Sequence, residues 1–318
     1  MTTTTNDGMD AEVVIVGAGP VGLIIALMLA KAGIKVVLCE TYSEIIQSPR
    51  AMAYGPAAVV ELERAGVAQE CRDVGMEPSD YEFELRWITL DNKTVASLPS
   101  KLMPGPPPVL CGQHRVAEII LRRLNEYPHA KVLWNHKVVG IEQDEKKVTA
   151  ICETSEGEKR ISGQYLVGAD GARSSVRKLI GCTFDGFTYD KMVVATNVYY
   201  PFRENGWAAG QFVIHPEHFA MVFYLMTGVV NNRSAKSNQM ECIEYLTARM
   251  PHYPTKKPAR TSITNTMPSS PVLNPSNTIS KCFRLTNSIN AARINSVSGE
   301  SFSRVMPRMR VIHLEVWG

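Results

Sequence analysis

Three glycines near the N-terminus are spaced in a way that suits the binding of a phosphate group. Gly17, Gly19 and Gly22 form the pattern G-x-G-x-x-G, with Pro20 after the second glycine, directly behind the apolar run Val13–Val16. In this pattern the first glycine permits a tight turn, the second lets a pyrophosphate approach the backbone, and the third lets helix and strand pack closely. The phosphates would lie at the helix N-terminus, where free N–H groups and the helix dipole favour negative charge. The spacing therefore predicts a dinucleotide site, and the alternative is a glycine-rich turn without a ligand.

A carboxylate stands where such a site needs one. Glu40 closes the apolar segment Val36–Leu38, which the predicted helix Pro20–Lys31 and its C-terminal cap Gly33 separate from the first strand. A carboxylate at the end of the second strand of a βαβ unit accepts hydrogen bonds from an adenosine ribose. Strands, helix and acid together predict dinucleotide binding, but they do not choose between NAD and FAD.

The elements that follow are mixed in type. A second helix is predicted from Pro56 to Gly66 and another over 116–124, while 81–98 and 132–154 alternate like hairpins. A short buried strand is expected at 165–167, and residues 192–226 are rich in strand patterns.

Composition narrows the class of protein. The 318 residues are 45% hydrophobic and 20% charged, with a net charge of +3. Because no block of Lys or Arg accompanies that charge, nucleic acid is not expected as a partner. The seven cysteines are scattered without metal-site spacing, which favours a reducing compartment, the cytoplasm. No secretory signal, membrane span or metal site is expected, and a predicted turn at His215 and His218 explains their HxxH spacing better than a metal does.

Three further segments carry a resemblance to a known family. They are SPRAMAYGPAAV, CGQHRVAEIIL and YLVGADGARSSVRKLIG. Together with the glycine motif, they resemble the FAD-dependent aromatic-ring monooxygenases, the single-component flavoprotein hydroxylases related to p-hydroxybenzoate and phenol hydroxylase. The resemblance covers roughly residues 11–230, including the spacing between the motifs.

The resemblance implies a role for five more residues. Asp170 and Gly171 match the family's DG motif, near the FAD pyrophosphate and linked to the nicotinamide cofactor. Arg50 matches an arginine beside the flavin and its phosphates, and Gln113 and Arg115 match the stretch that enters a helix packed against the cofactor. Bland alternatives remain for each: an ordinary turn for Asp170-Gly171, a surface charge for Arg50, and helix capping for Gln113 and Arg115.

The resemblance also implies the fold and the reaction. The fold class is α/β: a Rossmann-like (GR2-type) FAD-binding domain, residues 1–80 and 105–185, with an inserted, mostly antiparallel β-sheet substrate domain, residues 81–104 and 186–270. NADPH or NADH would reduce FAD, O2 would add to give a flavin C4a-hydroperoxide, and one oxygen would pass to a small phenol-like aromatic substrate. No catalytic side chain is identified, and the oligomeric state stays open. The rivals are another FAD oxidoreductase, an NAD-dependent dehydrogenase, and a non-catalytic FAD-binding fragment.

Residues 271–318 break the pattern. The family's next signature, approximately GRVxLAGDAAHxxNPxGGxG, is absent, and the segment is rich in Ser, Asn and Arg. Codons for RVMPRMRVIHLEVWG, read from the third base, permit GDAAHACNPFGGLG; Met306-Pro307 forces its first alanine and Trp317-Gly318 forces its last glycine. The segment is therefore predicted to be a frame-shifted tail, the alternative being a disordered one.

Overall fold

The structure, a computed structural model, describes residues 8–47, 50–76, 84–187, 193–199, 202, 205–216, 219–226, 240–247 and 311–313. Within these residues the helices are α1 (Pro20–Lys31), α2 (Pro56–Ala65), α3 (Ala68–Gly75), α4 (Gln113–Leu124) and α5 (Ser175–Leu179). The strands are β1 (Ala11–Val16), β2 (Val36–Cys39), β3 (Ala53–Tyr54), β4 (Glu84–Ile88), β5 (Thr94–Pro99), β6 (Val109–Leu110), β7 (Ala130–Leu133), β8 (Lys137–Gln143), β9 (Val148–Thr154), β10 (Gly157–Gly168), β11 (Val193–Tyr199), β12 (Gly210–Val213), β13 (Ala220–Met226), β14 (Met240–Thr247) and β15 (Val311–His313).

The first sheet is built around parallel strands that are buried on both faces. Its order is β7-β2-β1-β10-β9-β8, and β15 also pairs with β10. Along β1, Val13 and Ile15 pack in the helix-covered core, whereas Val14 and Val16 pack in the core on the opposite face. The continuous apolar sequence of β1 follows from this double burial, because both sets of alternating side chains lie inside the protein.

Helices α1, α2, α3 and α4 supply side chains to the core on one face, and β8, β9 and α5 contribute to the core on the other. The long strand β10 connects the antiparallel and parallel parts of this sheet. Its first half pairs with β9 in antiparallel fashion, and its second half runs parallel to β1. The predicted helix ends after α1 and α2 are confirmed, since Gly33 and Gly66 both adopt positive φ values, 78° and 80°.

A second sheet has the order β11-β14-β13-β12-β4-β5, and β3 and β6 form a separate two-stranded sheet. In the six-stranded second sheet, all pairings are antiparallel except that of β4 with β12. A third core lies between the two parts of the fold: Met52 and Leu110 pack with Ile88, Val213 and other side chains of this sheet. The predicted fold class, an α/β sheet with a second, mostly antiparallel sheet, is confirmed.

One local prediction was wrong in detail, and one helix was missed. The segment 132–154 is not one hairpin, because β7 pairs in parallel with β2 and only β8 and β9 form the hairpin at the expected turn. Helix α3 was not predicted at all; its eight residues are too few for a clear apolar period. The domain boundaries stay predictions, and of residues 271–318 only Val311–His313 lies within the described part of the chain.

Candidate dinucleotide site

The glycine-rich turn between β1 and α1 is fixed by close backbone contacts. Gly17 has φ 104°, and its N–H donates to the carbonyl of Cys39 at 2.8 Å. A Cβ on Gly17 would lie 2.6 Å from the carbonyl oxygen of Ala169, and one on Gly22 would lie 1.9 Å from the carbonyl oxygen of Gly17. A side chain at either position would therefore clash with the backbone unless the backbone moved.

The middle glycine differs from its neighbours. A Cβ on Gly19 would have no atom within 4 Å, so its surroundings are open. Gly19 is the N-cap of α1, with no side-chain cap, and Pro20 follows at the first helical position. The first turn of α1 contains no acidic residue, and the Leu23 N–H makes the bond back to Gly19. The N–H groups before Leu23 have no helical acceptor, so this end of α1 can receive an anion.

Glu40 lies against the same turn. Its Oε2 accepts a hydrogen bond from the Ala18 N–H at 2.6 Å, and its Oε1 accepts one from the Tyr42 N–H at 3.0 Å. Two backbone donors thus hold the carboxylate beside the glycine loop, at the end of β2. A carboxylate accepts several hydrogen bonds at once, which leaves lone pairs for ribose hydroxyls.

Asp170 follows β10, and its carboxylate organises the next helix. Oδ1 accepts a hydrogen bond from the Ser174 hydroxyl at 2.5 Å, and Oδ2 accepts from the N–H groups of Ser175 and Val176 at 2.6 Å and 3.1 Å. Gly171 has φ 79°, and a Cβ there would meet no atom within 4 Å. The carboxylate therefore stabilises the start of α5, while the backbone at Gly171 stays open.

Gly17, Glu40 and Asp170 share one place in the fold. Each follows the carboxyl end of a parallel strand, and those strands, β1, β2 and β10, are neighbours. The Ala169 N–H donates to the Val16 carbonyl at 2.8 Å, which ties the end of β10 to the end of β1. In open α/β sheets this edge is where ligands bind.

Arg50, Gln113 and Arg115 form a second group. The Gln113 N–H donates to the Ala51 carbonyl at 2.9 Å, so the Arg50 segment runs beside the start of α4. Arg50 has φ 46°, an uncommon conformation for a residue with a side chain, and it is exposed. Arg115 forms an ion pair with Glu118 at 3.1 Å. The structure thus brings these three predicted residues to neighbouring segments.

Sequence patterns gave no signal for several buried polar groups. Cys39, which precedes Glu40, has its Sγ 3.9 Å from that of Cys152. The hydrogen bond with Cys152 and burial raise the pKa of the Cys39 thiol well above its usual range, so the thiol stays protonated. Tyr54 and Gln211 are also buried, and among the described residues neither the Tyr54 hydroxyl nor the Gln211 Nε2 has a hydrogen-bond partner. Sequence spacing could not reveal them, because burial of a single polar side chain is a tertiary property.

Within the described ranges, no three His, Cys, Asp or Glu side chains gather in a way that could hold a metal ion. No helix in those ranges is long and apolar enough to span a bilayer.

The parallel sheet, the open glycine turn and the carboxylate at the end of β2 define a dinucleotide-binding protein of the α/β class. The family of FAD binding domains matches residues 10–289, and the chain belongs to this family. This confirms the resemblance seen in the sequence.

Relatives with known activities match part of the chain. Para-nitrophenol 4-monooxygenase of Pseudomonas sp. (strain WBC-3) is 40% identical over 213 residues, 67% of this chain and 53% of that protein. The 6-hydroxy-3-succinoylpyridine 3-monooxygenase HspB of Pseudomonas putida (strain DSM 28022 / S16) is 31% identical, over 63% of this chain and 51% of that protein. The chain thus spans about half the length of these curated relatives.

Solved structures show the same fold. The crystal structure of p-nitrophenol 4-monooxygenase PnpA from Pseudomonas putida DLL-E4 matches with a TM-score of 0.66 and 28% identity, covering 88% of this chain and 62% of that one. A ternary complex of aklavinone-11 hydroxylase with FAD and aklavinone matches with a TM-score of 0.60 and 21% identity, over 76% of this chain and 46% of that one. At that identity the second match speaks for the fold alone.

Proposed function

We propose that this protein is an FAD-dependent monooxygenase that uses NADPH or NADH and O2 to hydroxylate a phenol-like aromatic ring. The observation that carries the proposal is the meeting of the open glycine turn, Glu40 and the Asp170-Gly171 turn at one edge of the parallel sheet. Family membership and the activity of the 40% identical relative support it.

The residues of the site have distinct tasks in this proposal. The pyrophosphate of FAD lies over Gly17, Gly19 and Gly22, where the absence of side chains leaves backbone N–H groups accessible. Glu40 accepts hydrogen bonds from the adenosine ribose, held in place by the N–H groups that already bind it. Pro20 begins α1 without needing an acceptor for an N–H, so it leaves the helix N-terminus to the phosphates.

The other predicted residues serve the flavin side. Arg50, Gln113 and Arg115 bind and orient it from the two paired segments. Asp170 acts through the turn that it stabilises, and Gly171 lets the pyrophosphate or the reductant approach the backbone. Bound FAD supplies the transfer of two electrons from NAD(P)H and the activation of O2. One oxygen atom enters the ring, the other leaves as water, and no protein side chain is assigned as an acid or base.

We also propose the domain division expected from the sequence: residues 1–80 and 105–185 bind FAD, and residues 81–104 and 186–270 bind the substrate. The pairing of β4 with β12 supports it, because strands far apart in the chain share the second sheet. The unpaired cysteines Cys39, Cys71, Cys111, Cys152 and Cys182 support a reducing compartment, the cytoplasm.

The direct test is turnover. The purified protein, with its reading frame restored if the transcript requires it, is mixed with FAD, NADPH or NADH, and 4-nitrophenol, and reductant oxidation is followed by absorbance while the product is identified by mass. The expected result is stimulation of oxidation by the ring compound, with a product that has gained one oxygen atom or, if the oxygen enters at the carbon that carries the nitro group, with benzoquinone and released nitrite. Reductant oxidation without either product would instead indicate another FAD oxidoreductase.

The reading-frame pattern favours a second proposal, that residues 271–318 are frame-shifted and the chain as written binds FAD weakly or not at all. Sequencing of the transcript across the codons for residues 255–318 tests it. A base change or intron that restores GDAAH supports the proposal, and a transcript that reads as given contradicts it. A 318-residue chain that purifies as a stable yellow monomer would contradict the expected weak binding.

A further inference from the structure

Gln211 of β12 is a polar side chain deep inside the protein. It is 1% exposed, and its Oε1 accepts a hydrogen bond from the Ala208 N–H at 3.1 Å. Because that bond fixes which end of the amide faces Ala208, the NH2 end points elsewhere. Among the described residues nothing accepts a hydrogen bond from this Nε2. Nε2 is therefore a buried donor of known orientation, covered by other atoms of the protein, and a ligand oxygen must displace part of that cover to reach it.

The face of the sheet on which Gln211 lies is settled by its neighbours. Val222 stands directly opposite Gln211 in the pairing of β12 with β13, and Val213 lies two residues further along β12. Opposed residues and residues two apart share a face. Val222 and Val213 belong to the core that includes Met52 and Leu110. Gln211 therefore lies on the face that packs against the FAD-binding part of the fold.

That core is continuous with the segments proposed to hold the flavin. The Met52 carbonyl accepts a hydrogen bond from the Cys111 N–H at 2.8 Å, one step along from the bond between Ala51 and Gln113. Met52 is two residues from Arg50. A ring held between the flavin side and the second sheet would meet apolar side chains and, from the sheet, the Gln211 amide.

We infer that Gln211 is a specificity-determining residue whose Nε2 donates a hydrogen bond to an oxygen substituent of the ring substrate. The inference rests on the proposed function. A lone donor in apolar surroundings favours a ring with an acceptor over a ring without one, because only the first pairs the donor on binding. The oxygen can belong to a hydroxyl or a nitro group, since both accept hydrogen bonds. If Gln211 only anchors Ala208, its replacement affects stability and not the choice of ring.

Calorimetric titration of the full chain in excess FAD tests the inference. Four rings are compared: 4-nitrophenol, phenol with the hydroxyl alone, nitrobenzene with the nitro group alone, and toluene with neither. Gln211→Met removes the donor and keeps the length of the side chain, and Gln143→Met makes the same chemical change on the exposed end of β8. Gln211→Leu carries the comparison if the Met variant does not fold.

We expect Gln211→Met to weaken binding of 4-nitrophenol about tenfold, equivalent to about 1.4 kcal/mol, and to leave toluene binding unchanged. If the variant also loses affinity for phenol but not for nitrobenzene, the acceptor is the hydroxyl group. If it loses affinity for nitrobenzene but not for phenol, the acceptor is the nitro group. Equal losses for all four rings, or none for any, would overturn the inference while leaving the proposed function intact. If the wild-type chain binds FAD but none of the rings, the proposed function and the inference both fail.

Discussion

Alanine substitutions at Gly22 and Gly19 should affect different properties, the first stability and the second FAD binding. At Gly22 a new Cβ would lie 1.9 Å from the Gly17 carbonyl oxygen, against an ordinary contact of 3.4–4 Å. The obstacle is backbone, so α1 must move relative to β1. Overpacking of this kind costs about 1–3 kcal/mol, and the severity of the clash indicates the upper end. Alanine returns about 1 kcal/mol through its higher helix propensity. We therefore expect Gly22→Ala to lower the free energy of unfolding by about 2 kcal/mol.

Gly19→Ala should behave differently, because its Cβ would have no atom within 4 Å in the free protein. The clash appears only when a pyrophosphate approaches the backbone. Gly55 offers a matched control: it is the N-cap of α2 with φ −73° and ψ 172°, where Gly19 has −68° and 173°. Both precede a proline at the first helical position, and a Cβ on Gly55 would also be free of contacts. We expect both variants to stay within about 1 kcal/mol of wild-type stability, and only Gly19→Ala to weaken FAD binding, by tenfold or more.

Urea unfolding followed by circular dichroism gives the stabilities, and quenching of flavin fluorescence gives the FAD affinities. Each protein is measured in both assays, so that loss of binding can be separated from loss of folding. Equal stability of Gly22→Ala and the wild type would refute the packing argument. Equal FAD affinity of Gly19→Ala and Gly55→Ala would refute the placement of the pyrophosphate.

Three more outcomes follow from the geometry. Glu40→Gln keeps an acceptor for the Ala18 N–H but loses the charge, so FAD affinity in the same fluorescence assay should fall about tenfold; unchanged affinity would contradict a ribose contact. Asp170→Ala removes the acceptor for three donors at the start of α5 and should lower the free energy of unfolding by about 1–2 kcal/mol, measured in urea. Burial, with nearby thiols, raises the pKa of Tyr54 above its usual range near 10. The unfolded phenol ionises first as pH rises, so the stability from this shift is present below about pH 10 and lost above it. In urea titrations at pH 8 and 11, the free energy of unfolding should fall less between the two pH values for Tyr54→Phe than for the wild type. An equal fall in both proteins would contradict the burial argument.

Local sequence was sufficient where the structure depends on local spacing. The turn between β1 and α1, the helix end at Gly33 and the position of Glu40 all lie within one βαβ unit, and each is placed as expected. Strand β7 was assigned to the wrong hairpin because its partner, β2, lies some ninety residues earlier in the chain. Strand β7 has only four residues, and their pattern of apolar and polar side chains does not distinguish parallel from antiparallel pairing.

The two alternatives that the sequence leaves for Asp170 are compatible in the structure. The sequence offered an ordinary turn or a cofactor residue as alternatives. The carboxylate binds the Ser174 hydroxyl and backbone N–H groups of the same turn, so its first task is to fix the local backbone. A turn held in this way presents Gly171 at the edge of the sheet, and a side chain can thus matter for a ligand without facing it. Substitution there should change stability and ligand binding together.

The three glycines of the G-x-G-x-x-G motif differ in whether contacts within the chain require them. Gly17 and Gly22 are required by contacts within the chain, with the Ala169 carbonyl and the Gly17 carbonyl respectively, so folding alone accounts for them. Nothing in the described structure requires glycine at position 19, where a side chain would have room. Glycine at an N-cap costs only a few tenths of a kcal/mol relative to Ser, Asp or Asn, and Gly55 stands at such a position with the same free space. The free space at Gly19 therefore permits a ligand to approach the backbone, and a difference in FAD affinity between Gly19→Ala and Gly55→Ala is what would assign the middle glycine to binding.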